Sequence, residues 1–286
     1  MTTMRIVHIT GYATVQDHGR PGHAHLSVPP SGAFDRDSHD FANRLVGNRI
    51  AAATLEMTRA TVQLSFDHET TIAVTGAPAS IVIDGRQRDM QRAVIVPAHT
   101  TVLIATQHLG MRTYLAVRGG VSSEPVMDSR SYDELSRIGT PPVETGTVLG
   151  IGTDAEATPA VARQVSSGVN VSDAVTLHVH KGPRWGYCSN ADDLLEHEYT
   201  VTAQLNRIGL RLAGTPITWN TTERLPSEGM LTGAIQIAAD GQPIIFGPDH
   251  PTTGGYPVIA VLDEREISTV AQLAPGTTVR FTQARR

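Results

Sequence analysis

The sequence predicts a mainly β protein, a sandwich or barrel with few helices, from three observations. Its apolar runs are short, alternate with a period of two and are rich in β-branched residues. Gly, Pro and Asp-Gly signals punctuate them at close intervals. The long helical patterns that a parallel α/β sheet needs between its strands are missing.

Taken in order, a strand runs into the turn QDHGRPG (16–22), and a helix follows. In DRDSHDFANRLVGN, Asp35 is placed to cap the helix, Asp37 sits in its first turn, Phe41, Ala42, Leu45 and Val46 share a face, and Gly47 stops it. TIAVTG (71–76), ASIVIDG (79–85), RAVIVP (92–97), TTVLIAT (100–106) and RTYLAVRGG (112–120) read as strands. The stretch 153–172 is rich in Ala, Ser and Thr and poor in large apolar residues, which suits a linker. We therefore divide the chain into halves at 1–155 and 172–286, joined by a linker at 156–171. The second half repeats the strand style in VTLHVHKG (175–182), YTVTAQ (199–204), VIAVL (258–262) and TVRFTQ (278–283). It also carries GAIQIAADGQPIIF (233–246), with a hairpin signal at Asp240-Gly241. A second helix is expected in SNADDLLEHEY, capped by Ser189 or Asn190, with Leu194 and Leu195 turned inward.

Composition excludes several classes. At 286 residues with a formal net charge of −5, the chain lacks the clustered basic face that nucleic acid would require. Thr, His and Gly interrupt the opening residues before any signal-peptide run, and no later run approaches a membrane-spanning helix, so the expectation is a soluble cytoplasmic chain. One cysteine, Cys188, excludes an internal disulfide framework and leaves a reactive thiol or a small buried side chain. The only lysine, Lys181, lies in HVHKGPRWG rather than in a phosphate-binding loop. Any ATP site must therefore be of another kind or be shared with a partner.

Three constellations carry candidate chemistry. In TVQDHGRPG through VPPSGAFD, the turn and the prolines can hold Gln16, Asp17, Arg20 and Asp35 on a fixed backbone; a long ordered loop in which Asp17 and Arg20 pair with each other or cap a turn is the plainer alternative. His23-x-His25 and His178-x-His180 each place two imidazoles on one face of an extended chain, but neither has a third ligand at a diagnostic spacing, so no metal is assigned. Further on, Arg207 and Arg211 offer forks for a carboxylate or phosphate, and Glu228 in Ser227-Glu228-Gly229 is placed to orient water or a guanidinium. Gln236 projects from an apolar strand. Gly254 and Gly255 allow backbone amides to approach an anion, with hydroxyls from Thr252, Thr253 and Tyr256 beside them. The same Gly-Gly-Tyr-Pro run is also compatible with a bulged turn in which Tyr256 packs on the sheet.

These residues carry a resemblance. TVQDHGRPG (14–22), VPPSGAFDR (28–36), ANRLVGN (42–48), LEMT (55–58), YLAVRGG (114–120), SRS (129–131), YTVTAQLNRIGLRLAG (199–214), SEGMLTGAIQIAADGQPII (227–245) and TTGGYPVIA (252–260) span nearly the whole chain in order. On them the chain resembles the allophanate hydrolase subunit 2, or biotin-dependent carboxyltransferase-like, family. That family includes the C component of 5-oxoprolinase, an antagonist of a sporulation kinase inhibitor, and the carboxyltransferase part of urea carboxylase.

The resemblance implies two cyclophilin-like β-barrel domains and a partner of related fold, the B component (allophanate hydrolase subunit 1-like), with a separate A component in the 5-oxoprolinase setting. It implies ATP-dependent opening of the lactam 5-oxoproline to glutamate, with ATP shared with the partner. The alternatives are carboxyl transfer in an allophanate or urea pathway, with biotin visiting on another chain, and non-catalytic antagonism of a kinase inhibitor. Under this resemblance Arg20, Asp35 and Glu228 are the catalytic candidates. Gln16, Arg118, Arg207, Arg211, Gln236, Thr252, Thr253, Gly254, Gly255 and Tyr256 are the substrate or nucleotide-binding ones. The chain departs from the family's pattern at His18, at Ser31 and Phe34 in SGAFD, and at His250, where an arginine is expected.

Overall fold

The computed structural model describes residues 2–107, 109–160, 173–220 and 225–284. They fall into two units. The first holds the chain up to Arg20, Ser31–Asp133 and the residues from Arg137 to the end of the first half. The second holds the C-terminal part together with Pro21–Pro30 and Glu134–Ser136. Two short pieces of the expected first half thus belong to the second unit. Most of the expected linker lies outside the described residues.

The first unit is one ten-stranded sheet. Its strands are β1 (Thr3–Gln16), β2 (Thr54–Phe66), β3 (Thr70–Gly76), β4 (Ala79–Ile83), β5 (Arg86–Arg88), β6 (Val94–Val96), β7 (Thr101–Thr106), β8 (Arg112–Val117), β9 (Val121–Ser122) and β10 (Val148–Ile151). β1 and β2 pair antiparallel from Met4↔Phe66 to Gln16↔Thr54. The outer end of β2 then pairs with β7 through Thr61–Ser65, and its inner end pairs with β8 through Leu55–Thr58. These two strands, the longest in the unit, escape a simple alternation reading for a physical reason. Their register slips between Ile6 and His8 and again between Thr10 and Tyr12, and each slip transfers the following side chains to the other face. At the second slip Gly11 has φ +87, and a Cβ there would lie 2.5 Å from the Arg59 carbonyl oxygen, so only glycine fits.

The helix α1 (Arg36–Val46) forms where the sequence places it. Asp35 Oδ1 accepts from the Ser38 N–H at 3.0 Å, and the Gly47 N–H closes the other end on Asn43 and Arg44 carbonyls. Ala42, Leu45 and Val46 are buried against Ala73, Tyr114 and Ala116 of the sheet.

The second unit is a closed seven-stranded barrel. Its elements are β11 (Ala174–Lys181), the one-turn helix α2 (Asp193–Glu196), β12 (Glu198–Leu205), β13 (Gly209–Gly214), β14 (Glu228–Gly229), β15 (Ala234–Ile237), β16 (Pro243–Phe246), β17 (Thr253–Gly254), β18 (Val258–Leu262), the short helix α3 (Ile267–Val270) and β19 (Thr278–Gln283). The barrel order is β11-β18-β15-β16-β13-β12-β19, and β11 closes it by pairing parallel to β19 from Ala174↔Thr278 to Val179↔Gln283. Alternation sorts the faces: Leu177 and Val179 are fully buried while His178 and His180 are exposed. The expected second helix shortens to one turn because His197 is already extended and leads straight into β12. Leu194 is buried and Leu195 half-buried. Among the described residues no helix is long and apolar enough to cross a membrane.

Candidate functional site

In the first unit the turn after β1 is organised by Asp17, which is 7% exposed. Its Oδ1 accepts from the Gly19 N–H at 2.8 Å, Ser129 Oγ at 2.6 Å and Ser131 Oγ at 2.5 Å, and its Oδ2 accepts from the Arg130 N–H at 2.7 Å. The buried carboxylate is thereby fully solvated by fixed dipoles, and it ties the QDHG turn to the SRS segment. Asp17 therefore holds these hydroxyls and amides, while Arg20 turns elsewhere. The buried Arg20 guanidinium donates to the Ser131 carbonyl and, through Nε, to the Val126 carbonyl at 3.3 Å. The Gln16 amide donates to the Tyr132 carbonyl at 2.9 Å and to Thr14 Oγ1 at 3.0 Å.

Beside this turn, His18 Nε2 lies 2.7 Å and His39 Nδ1 2.9 Å from the same oxygen, Asp40 Oδ1. Burial disfavours the Asp40 charge, but the hydrogen bonds from His18 and His39 outweigh it and hold the carboxyl at about 2.

A cavity of about 780 Å³ opens in the same unit, lined in part by Arg118, Arg130, Thr70, Thr71, Ser122 and Thr153. Arg118 follows β8 in an Arg-Gly-Gly turn; its Nη1 donates to the Val46 and Ala157 carbonyls at 2.8 and 2.6 Å, which fixes the guanidinium at the wall. Arg130 is placed by its backbone bond to Asp17, and its Nε is buried with no hydrogen-bond partner among the described residues. Glu69 and Asp154 also line the cavity, and Asp154 is paired with Arg49 at 3.2 Å. Two arginines and several hydroxyls in a concave wall suit a small carboxylate or another compact anion. Arg118 is a candidate from the sequence; Arg130 is missed there, although it stands in the SRS block.

In the second unit the loop Thr252–Tyr256 meets the Ser227-Glu228-Gly229 turn. β17 and β14 pair, with Gly254 opposite Glu228 and Thr253 opposite Gly229. Gln236 Nε2 donates to the Tyr256 carbonyl at 3.2 Å, and a Cβ on Gly254 would stand 2.9 Å from that nitrogen. Gly254 is thus fixed by close packing rather than by a positive φ. Among the described residues, a Cβ on Gly255 would meet only the Leu225 carbonyl oxygen, at an ordinary 3.5 Å. Neither glycine adopts the left-handed backbone for which glycine is uniquely suited. Tyr256 is half exposed, and its ring lies 5.5 Å from Trp219. Glu228 forms an ion pair with Arg184, a residue with no signal in the sequence, and the hydrogen bond they share lowers the Glu228 pKa and raises that of Arg184.

The remaining candidates have structural tasks. Asp35 caps α1: its Oδ2 also accepts from Ser38 Oγ at 2.7 Å, and its N–H donates to the Tyr114 hydroxyl at 2.8 Å. Arg207, 1% exposed, forms a two-pronged bond to buried Asp249, Nε to Oδ2 at 2.8 Å and Nη2 to Oδ1 at 3.0 Å. Arg211 pairs with Asp240 on the surface. His250 is buried with Nδ1 2.8 Å from the Pro251 carbonyl, and Phe34 underlies the Arg112 guanidinium at 4.5 Å. Arg20, Arg207 and Arg211 are thus each engaged by groups of their own unit, and Arg118 stands at the cavity of the first. Residues 221–224, next to the Glu228 turn, lie outside the described residues.

The carboxyltransferase domain profile, subdomains A and B, matches residues 26–283. The chain is 31% identical to the C component of 5-oxoprolinase from Escherichia coli (strain K12), over 98% of its own length and 91% of that protein's. It is 29% identical to urea amidolyase of Saccharomyces cerevisiae over 98% of its length, but spans only 16% of that protein. Among solved structures, the Kluyveromyces lactis urea amidolyase superposes with a TM-score of 0.91 at 26% identity, covering 98% of this chain and 18% of that one.

Proposed function

The chain belongs to the carboxyltransferase-domain family, and from that premise we propose that it acts as the C component of a 5-oxoprolinase-type complex in the cytoplasm, with the B and A components as partners. Its relatives are parts of hydrolase and carboxylase systems, so an enzyme-subunit role follows at the family level. What supports the finer reading is the 31% identity to the 5-oxoprolinase component over 98% of this chain.

The chemistry sets what the site must do. A lactam carbonyl is a poor electrophile. Transfer of the γ-phosphoryl group of ATP to its oxygen releases ADP and activates the carbon; one water adds there, the ring C–N bond breaks to free the amine and leave an acyl phosphate, and a second water hydrolyses that acyl phosphate to the carboxylate and phosphate. The substrate keeps its carboxylate throughout, and a pair of arginine side chains at a cavity wall can hold and orient it. Arg118 and Arg130 are the residues we assign to that task. The chain offers no lysine-bearing phosphate loop, so the nucleotide is held jointly with a partner.

The test is ATP-dependent glutamate release from 5-oxoproline by the complex reconstituted from this chain and its A and B components. Absence of release from the complete complex would sink this reading. Within an active complex, Arg130→Gln is expected to raise KM for 5-oxoproline by about tenfold or more while leaving the melting temperature nearly unchanged, because it removes one charge-assisted hydrogen bond. An unchanged KM would take Arg130 out of the site. The second reading, a carboxyltransferase acting on a urea-type substrate, is favoured by the superposition on urea amidolyase. It predicts carboxyl transfer from a biotinylated partner in place of glutamate release.

A further inference from the structure

His18, His39 and Asp40 converge without any role in the anion cavity. Each offers one ligand atom, and these atoms all lie within 4.8 Å of one another. His39 and Asp40 are consecutive on α1, and His18 comes from the turn after β1, so the group joins two elements. Its geometry is fixed from outside. The His18 carbonyl accepts from Arg36 Nη2 at 3.0 Å, and the neighbouring Asp17 is held by four hydrogen-bond donors. Gly32, with φ +93, lets the SGAF segment approach the turn so closely that a Cβ would lie 2.9 Å from the His18 carbonyl carbon. His39 is fully buried, its ring set edge-on to Tyr114 at 6.2 Å, with Nε2 3.5 Å from Asn43 Nδ2. The Asn43 amide donates to the Ile50 and Ala52 carbonyls at 3.2 and 2.8 Å, which anchors the contact that orients the ring.

We infer that His18 Nε2, His39 Nδ1 and Asp40 Oδ1 form a three-ligand site for a divalent transition-metal ion, zinc by preference. Two imidazole nitrogens and one carboxylate oxygen are a common zinc donor set, with bonds of about 2.0–2.2 Å. Tetrahedral ligation separates ligand atoms by about 3.4 Å, so the two nitrogens need to draw back from the carboxylate by roughly half an ångström. The metal takes the place of the hydrogen bonds that the two imidazoles now make to Asp40, and each neutral ring carries its proton on the nitrogen that does not face the metal. The His18 side chain is 31% exposed, which gives the ion a way in and leaves room for a water as fourth ligand. Neither histidine belongs to the two pairs that attract attention in the sequence: His18 and His39 are distant along the chain, and the turn and the helix cap bring them together.

The test uses the full-length, tag-free chain, stripped with chelator and titrated calorimetrically with ZnSO4 alone. Co2+ loading supplies a second readout through its visible d–d bands. The expected result is one Zn2+ per chain, with affinity reduced about tenfold or more in both His18→Gln and Asp40→Asn, and an intense cobalt spectrum that both variants lose. His18→Gln alters a partly exposed turn residue, so its fold is checked independently by the unchanged helix and strand signal in circular dichroism. No binding by the parent chain, or binding that both folded variants retain undiminished, would overturn the inference. Neither result depends on 5-oxoproline or ATP, so this inference and the proposed function fail separately.

Discussion

Asp35 shows what a single residue in this chain can be asked to do. Its carboxylate receives both the backbone N–H and the hydroxyl of Ser38, so its task is to cap α1. Asp35→Ala is expected to cost about 1–2 kcal/mol of stability and Asp35→Asn only a fraction of that, because an amide oxygen caps nearly as well. Denaturant midpoints would show it, and equal losses for the two would argue that charge is the point. Cys188 makes a sharper case for pH. Burial pushes its thiol up to about 11 from the ordinary 9. A raised acid pKa favours the neutral folded form, so this contribution is complete below pH 9 and changes between about 9 and 11, where ionisation of the unfolded thiol draws the chain away from the fold. At pH 8 roughly one thiol in a thousand is ionised, and reaction with a disulfide reagent is expected to be slow until the protein unfolds. Rapid labelling of the native chain at pH 8 would contradict it. The cap was legible in the sequence because donor and acceptor stand three residues apart. The tasks of Arg20 and Arg207 were not, since Ser131 and Asp249 lie far along the chain and only the fold brings them in.

At the level of elements, strands with unbroken alternation were readable; of the bulged pair, the end of β1 that runs into the QDHG turn was read and β2 was not. A period of two has meaning only while the register holds, and the two slips interrupt it along β1, although Ala60 to Phe66 of β2 alternate cleanly. The Thr252–Tyr256 loop divides in the same manner. Gly254 pairs opposite Glu228 and lies against the ends of the Gln236 and Met230 side chains, which would have to shift to admit a Cβ. Gly255 has space for one among the described residues. Gly255→Ala is therefore expected to leave stability within about 0.5 kcal/mol, since such changes at unstrained positions are mild. Thermal unfolding checks this, and a drop of several degrees would show that the open side of Gly255 is structurally required. With stability preserved, any loss of complex activity reports directly on approach of a ligand to this loop. Arg184 was not legible because an isolated arginine beside tryptophan carries no signal until Glu228 is placed opposite it.

Across the whole molecule, the mainly β class was legible from punctuation alone, but the closure of the second unit was not, because parallel pairing of β11 with β19 leaves no local mark. Both tryptophans, Trp185 and Trp219, belong to that unit, so their emission reports on it. Val279→Asp, at a fully buried position of β19, places an unpaired charge inside the barrel and is expected to cost more than about 4 kcal/mol. The native tryptophan spectrum should be lost at temperatures where the parent chain keeps it. An unaltered spectrum and midpoint would mean that this seam does not hold the unit. The same seam has a consequence during synthesis. The first staves of the cylinder leave the ribosome with an exposed edge, and only the final stave covers it. Any pause in translation before that last piece emerges prolongs the time in which a neighbouring nascent chain can add itself to the edge instead.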